Sequence, residues 1–229
     1  MFSLQGYGPS IVQGTILTIE LCLVSLGISI VLGIITALAK LSHSRILNLG
    51  AQIYTTIIRG IPDLVLMLLI FFGGQVFINQ IGPMVGIDEY IDINPFMAGV
   101  FTIGFIFGAY MAETFRGAIL AVPAEQLEAG YAYGMSKLGV VTRIMLPQMV
   151  RHALPGFGNN WLVLMKSTAL VSIIGLNDMV RMAGLAAGAT RKPFTFYLVV
   201  AFNYLALTSI SILVLNWMNT RYSAGFIRE

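Results

Sequence analysis

The sequence is poor in charged residues. Only 10% of its 229 residues are Asp, Glu, Lys or Arg, whereas a soluble domain carries about 25%. At the same time 57% of the residues are hydrophobic, and the mean hydropathy is +0.85. Such a chain has too little polar surface to cover itself in water. The composition therefore excludes an ordinary soluble domain and predicts an all-α polytopic membrane protein.

Several kinds of chemistry lack the residues that they need. The single cysteine, Cys22, lies in an apolar segment, so it provides no disulfide framework. The two histidines, His43 and His152, lack metal-ligand spacing. The sequence contains no G-x-x-x-x-G-K-[ST] phosphate loop and no serine in a nucleophile-elbow context. The net charge of +3 is not gathered in a basic stripe. We therefore expect no catalysis, no metal, no cofactor bound by this chain and no nucleic acid partner.

Five apolar segments are long enough to cross a bilayer, which takes about 20 helical residues. The predicted spans are 11–39, 53–78, 95–115, 157–176 and 194–217. Together they form one transmembrane domain over residues 1–229. Pro62 is expected to kink the second span. Gly104 and Gly108 lie on one face of the third, and this spacing favours close helix packing, either within the chain or between subunits.

The charges between the spans predict the orientation. The segment 79–94 carries three acids, among them Asp88, and no base. The connection before the second span and the segment 116–156 are rich in Lys and Arg. By the positive-inside rule, the N-terminus lies outside and the C-terminus in the cytoplasm. The segment between the last two spans disagrees, with three bases on the predicted outer side against nine on the inner side.

A long segment that is not a span, about 121–147, carries the signals of a helix–turn–helix on the cytoplasmic side. Pro123 suits the start of a helix, and Glu125 suits its first turn. Gly134 permits a sharp change of direction. A second short helix, GVVTRIML, is expected to end at Pro147.

Small side chains in this segment offer a surface that another protein could approach closely. Ala129, Gly130 and Ala132 supply it, and Glu128 and Arg143 are available for polar contacts. The alternative is an ordinary amphipathic connector at the membrane face.

The spacing of the segment resembles the EAA loop of ABC importer permeases, which reads E-A-A, three residues, G, nine residues, I-x-L-P. This chain has Gly130 where the family usually has Ala. The resemblance implies a coupling helix that sits in a groove of an ATPase subunit. The residues that would make this contact are Glu128, Ala129, Gly130, Gly134, Ile144, Leu146 and Pro147.

The resemblance covers essentially the whole chain. The stretches IIRGIPDLVLMLLIF, GAYMAETFRGAILAVPAEQLEAG and LPQMVRHALPGFGNNWLVLMKSTALVSIIGLNDM are similar to the polar amino acid branch, above all to Q-type permeases of histidine/lysine/arginine/ornithine and arginine/ornithine importers. This implies a type I ABC importer permease fold in a bacterial inner membrane. It also implies an ATPase homodimer that binds ATP and Mg, a second permease subunit (a paralogue or a second copy) and a periplasmic solute-binding protein. The implied function is uptake of basic amino acids by alternating access.

Polar residues at membrane depth cost at least ~2.5–3.5 kcal/mol when charged, so they are candidates for the substrate pathway. The candidates are Asp63, Glu113, Asn159, Asn160 and Lys166. An intrahelical ion pair with Arg116 is the alternative for Glu113. An ion pair between helices is the alternative for Asp63 and Lys166.

Other functions remain possible on the sequence alone. A secondary transporter driven by an ion gradient would be favoured by an inverted repeat with two broken helices, which five spans and one loop do not supply. An intramembrane enzyme would need paired His, Asp or Ser residues at span depth. A structural scaffold would show no transport phenotype on deletion.

Overall fold

The structure is a computed structural model that describes residues 4–86 and 89–223, and no strand occurs among them. Asp88, one of the predicted outer acids, lies outside the described residues, as does Arg228 in the tail. The α-helices are α1 (Gly8–Lys40), α2 (Arg45–Gly60), α3 (Asp63–Leu68), α4 (Gly74–Ile81), α5 (Pro95–Leu120), α6 (Ala124–Ala132), α7 (Lys137–Val140), α8 (Leu146–Ser167), α9 (Met179–Thr190) and α10 (Pro193–Ser223). Two π-helical turns, Leu69–Gly73 and Val141–Met145, join α3 to α4 and α7 to α8.

Among the described residues, four helical segments are long and apolar enough to cross a membrane. They are Gly8–Lys40, Asp63–Met84, Pro95–Leu120 and Pro193–Tyr222. The predicted spans 11–39, 95–115 and 194–217 fall inside three of them. The count of five spans stays a prediction.

The predicted second span, 53–78, is not one helix. The chain is extended at Ile61 (φ −110°, ψ 138°), and α2 ends just before it. Pro62 causes this break, because its ring disfavours the helical conformation of the residue that precedes it. The first third of the predicted span therefore belongs to α2, and the apolar crossing segment begins at Asp63.

The predicted fourth span, 157–176, is not among the four apolar helices. It consists of the second half of α8 followed by a 3-10 turn, Thr168–Ser172. The reason is composition, since α8 carries polar and charged side chains along its length. They include Gln148, Arg151, His152, Asn159, Asn160 and Lys166.

Helices α1 and α5 form the centre of the fold through a seam of small residues. A Cβ at Gly104 would lie 2.6 Å from Ile28 Cγ2, and one at Gly108 would lie 2.9 Å from Leu32 Cβ. Ser29 Oγ also donates a hydrogen bond to the Gly104 carbonyl at 3.3 Å. Small residues let helix backbones approach closely where lipid supplies no hydrophobic drive for association. The glycine pair therefore serves packing within the chain.

Helix α10 lies at the edge of the fold. Phe196 and Val200 pack against Ala183 of α9. Most other large apolar side chains of α10 are exposed, including Phe202, Leu205, Ile210, Leu213 and Trp217. Apolar exposure on this scale is typical of a surface that faces lipid or another subunit.

Candidate functional site

The segment predicted as a cytoplasmic helix–turn–helix folds into two helices that meet at a tight turn. Helix α6 ends where Gly134 takes a left-handed conformation (φ 79°). The Met135 N–H donates to the Gly130 carbonyl at 3.1 Å, and the Gly134 N–H donates to the Tyr131 carbonyl at 2.9 Å. This pair of hydrogen bonds is the Schellman motif, which favours glycine at the left-handed position. Ser136 then caps α7 by accepting from the Gly139 N–H at 3.2 Å. The sharp turn expected at Gly134 is therefore present.

The second helix does not end at Pro147, as the sequence analysis expected. It runs on from α7 through the π turn Val141–Met145 into α8, with Pro147 in the first turn of α8. Within the π turn, the Leu146 N–H donates to the Val141 carbonyl, five residues back. This change of hydrogen-bond register comes just before the proline, where a helix tolerates a missing N–H.

Gly130 does not belong to the outer surface of this loop. It is buried, and a Cβ there would lie 2.7 Å from Ile144 Cδ1 and 3.1 Å from Val140 Cγ2. Gly130 therefore adds little to the exposed surface of the loop, and its contact with an ATPase stays a prediction. Its lack of a side chain instead lets α6 pack against the second helix. Ile144, a predicted contact residue, is the partner in this internal packing.

The outer surface of the loop is unpartnered within the described chain. Glu128 and Ala129 are exposed, and Gly134 has open space around it. Two large side chains project beside the turn, Tyr133 with 90% and Leu138 with 72% of its surface exposed. No described residue forms an ion pair with Glu128. A rigid turn that presents exposed apolar groups in a predicted aqueous compartment is typical of a docking surface.

Among the predicted pathway residues, Glu113 has two ionic partners. Its carboxylate pairs with the Lys40 ammonium at the end of α1 and with Arg116 Nε at 3.1 Å. The Lys40 side chain is 11% exposed and that of Glu113 is 22% exposed. The intrahelical pair that the sequence left open is present, and a second pair across helices accompanies it. Glu113 therefore fastens α1 to α5.

Asn159 and Asn160 point to different neighbours. Asn160 Nδ2 donates to Thr114 Oγ1 of α5 at 3.0 Å. Asn159 is exposed and lines a small cavity between α8 and α10 together with Asn216. Adjacent positions on a helix lie about 100° apart, so they cannot face the same partner.

Asp63 and Lys166 do not pair with each other or with any other residue that the structure describes. Asp63 is half-buried in the first turn of α3, directly after the Pro62 break. Lys166 is exposed in the last turn of α8. The alternative of an ion pair between helices is therefore not realised among the described residues, where Glu113 and Asn159 line different cavities.

A polar cleft between α2 and the ends of α1 and α5 was missed by the sequence reasoning. It consists of two adjoining openings of about 360 Å³ each. The side chains that line it include Lys40, Gln52, Thr56, Arg59, Tyr110 and Glu113. Gln52, Thr56 and Arg59 recur at i, i+4 and i+7, which places them on one face of α2. This spacing is visible in the sequence. It was missed because Thr56 and Arg59 fall inside the predicted second span, 53–78, and Gln52 lies outside it.

A second buried carboxylate, that of Asp178, was also missed. Asp178 is fully buried and caps α9, where its Oδ1 accepts from the Arg181 N–H at 2.9 Å. Its Oδ2 has no hydrogen-bond partner among the described residues. Burial raises the pKa of Asp178 to about 6, because the charged carboxylate is poorly solvated there. The sequence signal was an Asp directly before a helix.

No group of three or more His, Cys, Asp or Glu side chains gathers in the described part of the chain, so it offers no candidate metal centre. Cys22 is buried, and His43 and His152 are exposed. The expectation that the chain binds no cofactor stays a prediction.

Comparison with known proteins relates this geometry to one family. The family described as "Binding-protein-dependent transport system inner membrane component" matches residues 29–224. The histidine/lysine/arginine/ornithine transport system permease protein HisQ of Salmonella typhimurium is 49% identical over 225 residues, which cover 98% of each chain. The octopine transport system permease protein OccQ of Rhizobium radiobacter is 39% identical over 227 residues, 99% of this chain and 96% of the relative.

A solved structure shares the fold. The crystal structure of an amino acid ABC transporter with histidines matches with a TM-score of 0.80 and 32% identity, covering 94% of this chain and 95% of that chain. The match and the apolar helices together confirm the predicted all-α membrane fold of ABC importer permeases.

Proposed function

The chain belongs to the family of binding-protein-dependent transport system inner membrane components, and from this membership we propose that it is the permease subunit of an ABC importer for basic amino acids. The resemblance that the EAA-like spacing indicated is thereby confirmed. The chain is a multi-pass membrane protein and a transport component, and it carries no ATP-binding loop of its own. ATP hydrolysis then resides in partner subunits.

The observation that carries the proposal is the loop around Gly134. Its turn is fixed by two backbone hydrogen bonds, and it exposes Tyr133 and Leu138 with no cover from the rest of the described chain. A rigid protrusion of this kind can transmit a push from a docked subunit to α8, with which its second helix is continuous. We infer that an ATPase dimer docks here and that its closure moves α8, which supports alternating access.

The substrate class rests on chemistry and on the relatives. HisQ is named for histidine, lysine, arginine and ornithine, and OccQ for octopine. A substrate with a cationic side chain requires a carboxylate that is not already neutralised. Asp63 meets this condition, whereas Glu113 is held by two cations. Asp63 is therefore the favoured pathway residue, and Asn159, Asn160 and Lys166 remain candidates.

The remaining partners follow from the same proposal. The exposed apolar faces, such as that of α10, accommodate lipid and a second permease subunit, either a paralogue or a second copy. A solute-binding protein then delivers the amino acid at the outer face of a bacterial inner membrane. The N-terminus lies outside in this arrangement, in keeping with the charge bias.

Reconstitution tests the proposal against the secondary transporter. The chain is purified with its partner subunits, placed in proteoliposomes and supplied with binding protein and labelled arginine. Uptake that requires ATP and persists when ionophores collapse the ion gradients supports the proposal. Uptake that continues without any ATPase subunit and stops with the ionophores contradicts it.

A further inference from the structure

The polar cleft beside α2 has an excess of positive charge. Three basic side chains line it (Lys40, Arg59 and Arg116) against one acid, Glu113. That acid is already bound by Lys40 and Arg116. Arg59 therefore stands without a carboxylate partner among the described residues, and its guanidinium lies 5.6 Å from the centre of the Tyr110 ring. With three bases and one acid, the cleft has a formal excess of two positive charges.

The unpaired cation lies close in the chain to an unpaired anion. Arg59 is in the last turn of α2, and Asp63 is in the first turn of α3, across the Pro62 break. Tyr110 of α5 lies near both, since Asp63 and Arg59 each contribute to the electrostatic environment of its hydroxyl group. Arg59 is exposed and Asp63 is half-buried, so neither charge is sealed off from a ligand of the opposite sign.

We propose that this cleft is an anion site that receives the α-carboxylate of the transported amino acid, with Arg59 as the group that binds it. The inference rests on the proposed function. A basic amino acid carries a carboxylate at one end and a cation at the other. Arg59 and Asp63 offer the complementary pair, and an arginine guanidinium binds a carboxylate through two parallel hydrogen bonds.

The same chemistry would accept the phosphate of an anionic lipid headgroup. The carboxylate is favoured because Asp63 lies beside the site. A headgroup with a net negative charge would be repelled by Asp63, whereas an amino acid with a cationic side chain is attracted. Thr56 and Gln52, on the same face of α2 as Arg59, add neutral hydrogen-bonding groups.

The test compares arginine with agmatine, which is arginine without its carboxylate. Binding of both is measured by equilibrium dialysis to the purified permease–ATPase complex in nanodiscs, with and without phosphatidylglycerol. The variant is Arg59→Gln. Its matched control is Arg45→Gln, which removes a base from the exposed start of the same helix, away from the cleft. Arg59→Lys keeps the charge without the planar fork.

We expect Arg59→Gln to weaken arginine binding by about tenfold or more, the usual effect of losing a hydrogen bond to a charged group. Agmatine binding should not weaken, so the ratio of the arginine binding constant to the agmatine binding constant falls toward one. Arg59→Lys should restore part of the ratio, and Arg45→Gln should leave it at the wild-type value.

Three results would overturn the inference. An unchanged ratio in Arg59→Gln, or equal losses for both ligands, would show that Arg59 does not bind the carboxylate. An effect that appears only with phosphatidylglycerol and leaves the ratio unchanged would assign the cleft to lipid phosphate. These outcomes leave the proposed function intact, because the wild-type complex still binds arginine. A wild-type complex that binds and transports no basic amino acid would refute both.

Discussion

Gly130 of α6 lies against Ile144 of the following π turn, so closely that a Cβ at position 130 would stand 2.7 Å from Ile144 Cδ1. This contact joins the two helices of the loop. Two positions of the EAA-like pattern therefore contribute to the shape of the loop from within. The neighbouring positions, Glu128 and Ala129, are exposed and free to meet a partner.

Substitutions at two adjacent positions should separate these roles. Gly130→Leu should destabilise the loop by about 1–3 kcal/mol, because overpacking forces neighbours to move. Gly130→Ala should be mild, since the nearest atom is the terminal methyl group of Ile144. Ala129→Leu should leave the permease intact and weaken its ATPase contact. Limited proteolysis of the loop and co-purification of the ATPase measure the two effects. Equal proteolytic sensitivity of Gly130→Leu and Ala129→Leu would contradict the assignment.

Gly134→Asp should abolish ATP-dependent uptake while the protein still inserts at normal abundance. The expected clash is with the ATPase and not within the chain, because nothing lies within 4 Å of the position that a Cβ would take. The left-handed backbone adds a strain of about 1–2 kcal/mol for an L-residue. Co-purification of the ATPase and the ratio of uptake to ATP hydrolysis are measured. We expect the variant complex either to lose its ATPase or to hydrolyse ATP without transport.

Gly134→Asn is the matched control for charge, since Asn is similar in size and tolerates the left-handed conformation. We expect it to be less harmful than Asp. A Gly134→Asp complex that kept its ATPase and transported at the wild-type rate per ATP would show that the loop is only a connector.

Glu113→Gln should lower stability more than it alters substrate preference. It leaves the nearly buried Lys40 ammonium without its anion, which costs about 1–3 kcal/mol for hydrogen bonds to a charged group. Arg116→Gln should cost less than about 1 kcal/mol, because that partner is 38% exposed. Thermal melting of the purified complex gives the order of the two variants. A changed ratio of arginine to histidine uptake in Glu113→Gln, with unchanged melting, would return Glu113 to the substrate pathway.

The orientation can be checked with reporter fusions. A reporter placed after Arg45 should report a cytoplasmic position, and one placed near Asp88 should report the outer side, because bases accumulate on the inner side of a membrane protein. A pair of enzyme reporters, each active on one side only, measures both positions. The reverse pattern would move the coupling loop out of reach of a cytoplasmic ATPase.

Asp178 predicts a pH dependence of stability. Its pKa is about 6 in the folded chain, against 3.8 for an ordinary aspartate. Between these two values the folded state binds more protons than the unfolded state, so the free energy of unfolding falls as the pH rises through this window. The loss levels off once the pH is well above the folded-state pKa of about 6. Melting temperatures are measured for wild type and Asp178→Asn between pH 4 and 7.5. The melting temperature of the wild type should fall relative to that of Asp178→Asn as the pH rises, so that the Asn variant is the more stable at pH 7. Parallel curves would show that Asp178 does not titrate in this range.

The composition and the spacing of a few residues determined the class of this protein. A chain with so few charged residues and so many apolar ones is suited to a lipid environment. The spacing of residues from Glu128 to Pro147 identified the loop and the family, because this spacing is a local property of the chain. The turn at Gly134 was predictable for the same reason, since a left-handed backbone selects glycine. These features do not depend on which helices become neighbours.

The roles of individual residues were decided by the tertiary structure. Gly130 was expected to face outward and instead packs on Ile144, and Glu113 was a pathway candidate that fastens α1 to α5 through Lys40. Lys40 lies 73 residues from Glu113 in the sequence. Helical periodicity states which residues share a face, but the approach of another helix decides whether that face is buried, paired or left open. The same packing left Asp63, a candidate from the sequence, and Arg59 without an ionic partner among the described residues, and this made Arg59 a candidate for binding a ligand as well.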